Sequence, residues 1–114
     1  MQAIISNLAT LENELPSDEA IYAMAESFKA LADPTRLKIL ALILPGERSV
    51  GNLADHLVVS QSAVSHQLRL FRSLNIVRYR KVGREVYYAL ADEHVRDIFL
   101  RTYEHILHDQ GENI

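Results

Sequence analysis

Two adjacent segments of the chain predict the fold: SQSAVSHQLRLFRSLN at residues 60–75 and IVRYRKVGREVYYAL at residues 76–90. In the first segment Ser60 can cap a helix, because its hydroxyl can accept a hydrogen bond from the first turn. The apolar side chains of this helix recur at helical spacing, which predicts its inward face. They are Ala63, Val64, Leu68, Phe71 and Leu74.

A shorter helix is predicted immediately before it. Ser49 can cap this helix, and Leu53, Ala54 and Leu57 would form its inward side. Val58 and the residue after it leave room only for a tight connection. Two short helices with such a link are typical of a helix-turn-helix, which we place at residues 49–75.

The segment at residues 76–90 predicts a β-hairpin. Val77 and Tyr79 alternate with basic residues, Gly83 supplies the turn, and apolar residues form the returning strand. A helix-turn-helix followed by a basic hairpin is a winged helix, so the predicted fold class is mainly α with a β-hairpin wing. The tip of this wing is predicted to carry Arg80, Lys81 and Arg84, which would contact the backbone or the minor groove of DNA.

The outer side of the second helix has side chains that suit readout of the major groove. Glutamine can pair with adenine through two hydrogen bonds, short polar side chains can contact phosphate or base edges, and arginine can reach phosphate or guanine. The predicted DNA-binding residues of this helix are Gln61, Ser62, Ser65, His66, Gln67 and Arg69.

Two further helices are predicted before the helix-turn-helix. One begins at Ser17 and has an apolar stripe predicted to be buried, comprising Ile21, Met24, Ala25, Phe28 and Leu31. The next begins at Asp33 with Pro34 in its first position, and it is apolar nearly all round, which predicts a central buried helix. Residues 1–16 also contain a short apolar stripe at helical spacing, which Pro16 would end.

Composition limits the class of protein. A chain of 114 residues predicts a single domain, residues 1–114, and the absence of cysteine excludes a disulfide scaffold and any thiolate metal site. No apolar run is long enough to span a bilayer and no signal pattern is present, so we expect a cytoplasmic protein without membrane contact. The net charge is −3, yet residues 60–90 hold six Lys and Arg against one Glu. That local excess favours a nucleic-acid partner.

The last predicted helix, at residues 92–108, contains four side chains that commonly bind zinc. Asp92 and His94 lie at its start, and His105 and His108 near its end. His94 and His105 share a face but lie roughly 16 Å apart along the axis, so one ion cannot reach both pairs in one chain. An antiparallel second copy of the helix would bring one pair from each chain together, and the two-fold axis would create two identical sites. This geometry predicts a homodimer.

The sequence resembles the ArsR/SmtB family of metal-sensing repressors over residues 20–108. The matching stretches are ALADPTRLKIL at residues 30–40, LADHL at residues 53–57, all of residues 60–90, and DEH at residues 92–94 with two later histidines. The resemblance implies a dimeric winged helix that binds operator DNA without metal and is released by metal. Two copies related by a two-fold axis would need an inverted repeat with half-sites about one helical turn apart. It also implies a zinc site on the last helix, shared across the dimer, to which Asp92, His94, His105 and His108 correspond.

The departures from the family favour one metal. Members that sense cadmium, lead or arsenic use cysteines, and this chain has none. Members that sense nickel or cobalt tend to recruit extra terminal histidines, whereas this tail offers only Asp109 and Glu112. Three imidazoles and a carboxylate form a closed tetrahedral set, which suits Zn(II). Co(II) would also bind, and a Ni(II) or Co(II) sensor, or a regulator that senses no metal, is the alternative.

Two other interpretations remain open from the residues. An enzyme is disfavoured, because there is no HExxH helix, phosphate-binding glycine loop or serine nucleophile elbow. A pH switch through the clustered histidines would instead predict release from DNA near about pH 6 without metal.

Overall fold

The computed structural model describes residues 14–110 of the chain. In this part the secondary structure is mainly helical, with one small sheet. The elements are α1 (Asp18–Leu31), α2 (Pro34–Ile43), β1 (Arg48–Ser49), α3 (Val50–Leu57), α4 (Gln61–Ser73), β2 (Val77–Val82), β3 (Glu85–Leu90) and α5 (Glu93–Asp109). No helix within residues 14–110 combines the length and the apolar character needed to cross a membrane.

Each helix begins at a side chain that accepts a hydrogen bond from its first turn. In four helices the capping side chain accepts from the backbone N–H three residues further on; the caps are Ser17, Asp33, Ser49 and Ser60. Asp92 accepts from the backbone N–H groups two and three residues further on. Such caps satisfy N–H groups that have no partner inside the helix. The helix starts predicted from the sequence are therefore confirmed.

The sheet has three antiparallel strands in the order β1-β3-β2. Tyr79 pairs with Tyr88, and Arg80 pairs with Tyr87, across the hairpin. Gly83 has a φ of 61° in the turn, which is the left-handed region that glycine adopts without a steric cost. The hairpin is thus confirmed, whereas β1 was not predicted, because it has only two residues and the second, Ser49, is also the cap of α3.

The core lies between α2, α3, α4 and the sheet. The largest fully buried side chains are Ile39, Leu40, Ile43, Leu53, Val64, Leu68 and Phe71. Three of them belong to α2, which confirms that it is the central helix, although Leu37 on its outer side is exposed. Together α3, α4 and the β2–β3 hairpin form a winged helix-turn-helix.

Two predictions about burial are wrong. The stripe on α1 is not buried in one chain: Phe28 is 53% exposed, and Ala30 is the buried residue of that helix. The reason is that α1 packs on α2 along one narrow edge and leaves its broad apolar side uncovered. Ala63 is exposed on α4, because Val64, Leu68 and Phe71 define the inward row. The predicted stripe at residues 1–16 lies largely outside the described residues.

Candidate nucleic-acid interface and metal-ligand pairs

The outer side of α4 presents part of the polar set that the sequence predicted there. Gln61, Ser62, His66 and Arg69 are exposed, and Ser65 is half-buried. Ser62, His66 and Arg69 lie opposite the row of α4 that packs into the core, whereas Gln61 precedes Val64 of that row by three residues and its amide lies beside Gly51 of α3. This surface of the recognition helix α4 can therefore approach DNA without any rearrangement of the core.

Gln67 has a different environment from the other predicted contacts. It is half-buried, and it follows Val64 by three residues and precedes Phe71 by four, so it shares their inward row. Its Oε1 accepts a hydrogen bond of 2.9 Å from Nε of Arg36 on α2. The structure thus places Gln67 against α2 rather than on the outer side of α4.

The three basic residues predicted at the wing tip also differ in their positions and contacts. Arg84 lies in the turn and Lys81 near the end of β2, and both are exposed. Arg80 is three residues before the turn, and its guanidinium binds the carboxylate of Glu47. Nε of Arg80 lies 3.1 Å from Oε1 and 3.0 Å from Oε2 of Glu47, and Nη2 lies 2.5 Å from Oε1. The hydrogen bond from Arg80 lowers the pKa of Glu47 below its ordinary value, and the same bond raises the pKa of Arg80.

A stack of side chains joins α4 to the wing. The guanidinium of Arg72 lies 3.8 Å from the centre of the Tyr79 ring, and that ring lies 5.9 Å from the ring of Tyr88. Cation–π contacts of this kind contribute roughly 0.5–2 kcal/mol. Arg72 was not among the residues predicted from the sequence, although its position one turn after Arg69 was a usable signal.

The four predicted metal ligands lie at the two ends of α5. Asp92 caps the helix, with its Oδ1 accepting from the backbone N–H groups of His94 and Val95 at 2.9 and 3.2 Å. Nδ1 of His94 is 3.6 Å from the same oxygen, and both side chains are largely exposed. His105 and His108 are exposed near the other end of α5. The predicted N-cap role of Asp92 is confirmed.

These donors fit zinc as two half-sites rather than as one site. Within residues 14–110 of a single chain, no three His, Asp or Glu side chains come together as a metal-binding group. Each end of α5 offers two adjacent donors that are accessible to an ion or to a second chain. Three imidazole nitrogens and one carboxylate oxygen are the donor types that Zn²⁺ prefers, so the residues present match the ion chemically.

An apolar groove runs between α1, α2 and α5. Its cavity has a volume of about 390 Å³. The side chains that line it are Phe28, Leu31, Ala32, Leu37, Leu40, Val95, Ile98, Phe99, Thr102, Tyr103 and Ile106. Several of them are large and exposed, so the groove presents an extended apolar surface to solvent.

A winged helix-turn-helix with an exposed polar and basic recognition helix defines a DNA-binding transcriptional regulator. Residues 33–79 match the arsR family of bacterial regulatory proteins. The chain is 43% identical over 102 residues to a transcriptional repressor SmtB homolog of Synechocystis sp., covering 90% of this chain and 77% of the relative. This chain therefore belongs to the ArsR/SmtB family of metal-sensing repressors.

Other relatives agree with this assignment. The regulator NmtR of Mycobacterium tuberculosis is 39% identical over 90 residues, which cover 79% of this chain and 75% of NmtR. Among solved structures, HlyU of Vibrio cholerae superposes with a TM-score of 0.71 at 32% identity, covering 77% of this chain and 96% of HlyU. A homodimeric winged helix-turn-helix DNA-binding domain from Mycobacterium bovis gives 0.72 at 32% identity, covering 82% and 93%. The family match, the SmtB homolog and the Mycobacterium bovis domain are all described as regulatory or DNA-binding proteins, so the class shown for this chain is a transcriptional regulator and not an enzyme.

Proposed function

We propose that this chain is a zinc-released repressor. In the proposal, a metal-free homodimer binds an operator with an inverted repeat and blocks transcription. Zn²⁺ bound between the two chains then lowers the affinity for DNA. The observation that carries the proposal is the position of the donor pairs: Asp92 with His94, and His105 with His108, lie at opposite ends of one exposed helix.

The DNA-binding part of the proposal rests on the outer side of α4 and the wing. Ser62, His66 and Arg69 are exposed and face away from the core, so they would contact base edges and phosphates in the major groove. Lys81 and Arg84 at the end of the wing would contact the neighbouring backbone or minor groove. Two such units related by a two-fold axis would require half-sites about one helical turn apart.

The dimer is supported by the uncovered apolar surface. Ile98, Tyr103 and Ile106 on α5 are exposed next to an apolar groove, although monomers rarely leave large contiguous apolar patches in water. The solved domain from Mycobacterium bovis, which has the same fold, is a homodimer. A second chain that covers this surface would bury it and would bring the second α5 close.

The metal part of the proposal follows from the arrangement of the donors. Zn²⁺ would be held by Asp92 and His94 of one chain together with the partner's His105 and His108, and the two-fold axis would give two such sites. Bound there, the ion supplies a link between the two α5 helices, and it would favour a dimer whose α4 helices no longer fit successive grooves. Linkage requires that DNA weaken zinc binding by the same factor, typically about 5- to 150-fold.

The first test is binding to a duplex that contains an imperfect inverted repeat, measured by fluorescence anisotropy at fixed salt. We expect tight binding without metal, weakened roughly tenfold or more by Zn²⁺. Parallel titrations with Co²⁺ and Ni²⁺ test the alternative effectors. The variant His105→Asn should keep the metal-free affinity and lose the zinc response, and binding that is indifferent to every metal would overturn the metal part alone.

A complementation test asks whether the site spans two chains. One variant lacks Asp92 and His94, and the other lacks His105 and His108, each replaced by Ala. Neither forms a complete site as a homodimer, but a mixed dimer keeps one intact site, so an equal mixture should bind about one Zn²⁺ per four chains. A mixture that binds no more zinc than the separate variants would contradict a shared site.

A further inference from the structure

Arg36 on α2 joins three elements through its backbone and side chain. Its backbone N–H donates to Oδ2 of Asp33 at 3.0 Å, which fixes the start of α2. Its Nη1 donates to the carbonyl oxygen of Ala30 at 3.1 Å, near the end of α1. Its Nε donates to Oε1 of Gln67 at 2.9 Å, across a sequence separation of 31 residues. The guanidinium therefore connects the corner between α1 and α2 to the recognition helix α4.

The chemistry of the two side chains fixes the orientation of the Gln67 amide. Arginine has only donors, so the amide must present its oxygen to Arg36. Recognition of adenine by glutamine needs the oxygen and the nitrogen of the amide at the same time. The amide oxygen of Gln67 is already bonded to Arg36, and Gln67 shares the inward row of Val64 and Phe71. Gln67 is therefore not placed to recognise adenine.

We propose that Arg36 is a positioning residue for operator binding, which acts by holding Gln67 and thereby fixing the rotation of α4 about its own axis. The inference rests on the proposed function, in which the outer side of α4 enters the major groove. Arg36 itself touches no base. Gln67 serves as the attachment point of α4 to the corner between α1 and α2.

The rotation of α4 matters because hydrogen bonds tolerate little displacement. A side-chain tip lies about 6 Å from a helix axis, so a rotation of about 20° moves it by roughly 2 Å. Donor–acceptor distances in good hydrogen bonds vary by only about 0.5 Å. Arg72, which stacks on Tyr79, holds α4 to the wing on another side. Val64, Leu68 and Phe71 pack α4 into the core, and Arg36 adds a directional hydrogen bond on the side of α1 and α2.

The test is a double-mutant cycle of Arg36→Met, Gln67→Met and the double variant, with Lys38→Met as a control. Lys38 is an exposed cation on the same helix, so its replacement removes one charge without touching Gln67. Each metal-free protein is titrated with the inverted-repeat duplex and with a scrambled duplex at several salt concentrations. Urea unfolding of the same four variants reports their stability without DNA.

We expect Arg36→Met and Gln67→Met each to weaken specific binding about tenfold, while scrambled-duplex binding and the salt slope stay unchanged. The double variant should be no weaker than the poorer single variant, because both remove one contact. Lys38→Met should leave the ratio of specific to scrambled binding unchanged. A loss of stability alone would lower both kinds of binding together and would overturn the positioning role.

Three other outcomes would overturn the proposal. Arg36→Met could reduce the salt slope by about 0.9 with no effect of Gln67→Met, which would make Arg36 a phosphate contact. Gln67→Met could change the preference at one base pair while Arg36→Met does not, which would make Gln67 a base reader. Additive losses would mean that the two residues act independently. If the wild-type protein itself fails to prefer the inverted repeat, the proposed function fails as well.

Discussion

Arg80 forms a bidentate ion pair with Glu47, and Nη2 of Arg80 lies 2.5 Å from Oε1 of Glu47. Arg80 alternates with Tyr79 along β2, and Tyr79 is the residue that Arg72 of α4 covers. Because neighbouring side chains of a strand point to opposite faces, Arg80 lies on the face of the sheet that is turned away from α4. Arg80 therefore ties the wing to the loop before β1.

The first prediction concerns which wing residues contact phosphate. Each phosphate contact contributes about 0.9 to the slope of log K against log salt concentration. We expect Lys81→Gln and Arg84→Gln each to reduce that slope by about 0.9, and Arg80→Gln to reduce it by clearly less, because its charge is paired with Glu47. Equal reductions for Arg80 and Lys81 would show that Arg80 leaves Glu47 when DNA binds.

The second prediction concerns acid. The pKa of Glu47 is lowered by the hydrogen bond from Arg80, so the folded state favours the charged carboxylate. This contribution is present above the unfolded pKa and is lost as the pH falls through the lowered folded pKa. The stability difference between wild type and Glu47→Gln, measured by urea unfolding, should be largest near about pH 7 and should disappear as the pH falls through the lowered pKa of Glu47. A difference that grows towards acid would contradict the ion pair.

The sequence predicts the features that depend on residues close together in the chain, namely helix starts and tight turns. Ser60 and Asp33 show helix starts, and Gly83 shows the turn of the wing, because caps and tight turns need particular side chains locally. The environment of Gln67 depends on Arg36, which is 31 residues away, and no local pattern indicates that contact. The strand alternation already separates Arg80 from Tyr79, but only Glu47 shows what Arg80 binds.

The donor pairs at residues 92–108 also show that a local pattern does not predict contacts with distant groups. The spacing of His94 and His105 gives the face that they share, and Asp92 is identified as a cap by its position. In the proposed site a second chain completes each pair, and a contact between copies lies beyond any pattern within one helix. The apolar stripe of α1 was predicted as buried for the same reason, since periodicity identifies an apolar face without identifying what covers it.

The third prediction concerns Val58 in the turn of the helix-turn-helix. Its φ of 57° and ψ of 49° lie in the left-handed region, and it is 88% exposed, so little packing offsets the conformation. That region costs L-residues about 1–2 kcal/mol, and it is rarer still for β-branched side chains. We expect Val58→Gly to raise the free energy of unfolding by roughly 1 kcal/mol, measured with urea.

Val59→Gly is the matched control for Val58. The neighbouring valine is also exposed, but its φ is not positive. Glycine there relieves no strain and adds freedom to the unfolded chain, so this variant should be destabilised by up to about 1 kcal/mol. Similar changes at both positions would show that the backbone conformation at residue 58 is not the cause.

The fourth prediction concerns the apolar surface of α5. Ile98 is 42% exposed and lines the groove, whereas Leu100 is 40% exposed and lies about 200° further round the helix. If a second chain covers the groove side, Ile98→Glu places two unpaired carboxylates in the interface, at a cost of about 3 kcal/mol or roughly 100-fold in dimerisation.

Leu100→Glu introduces the same charge on the other side and should remain dimeric in sedimentation equilibrium. In the proposed zinc site the ligands come from both chains, so the monomeric variant should also lose tight zinc binding while its circular dichroism stays that of the folded protein. An Ile98→Glu protein that stays dimeric and still binds zinc tightly would place the dimer contact on another surface.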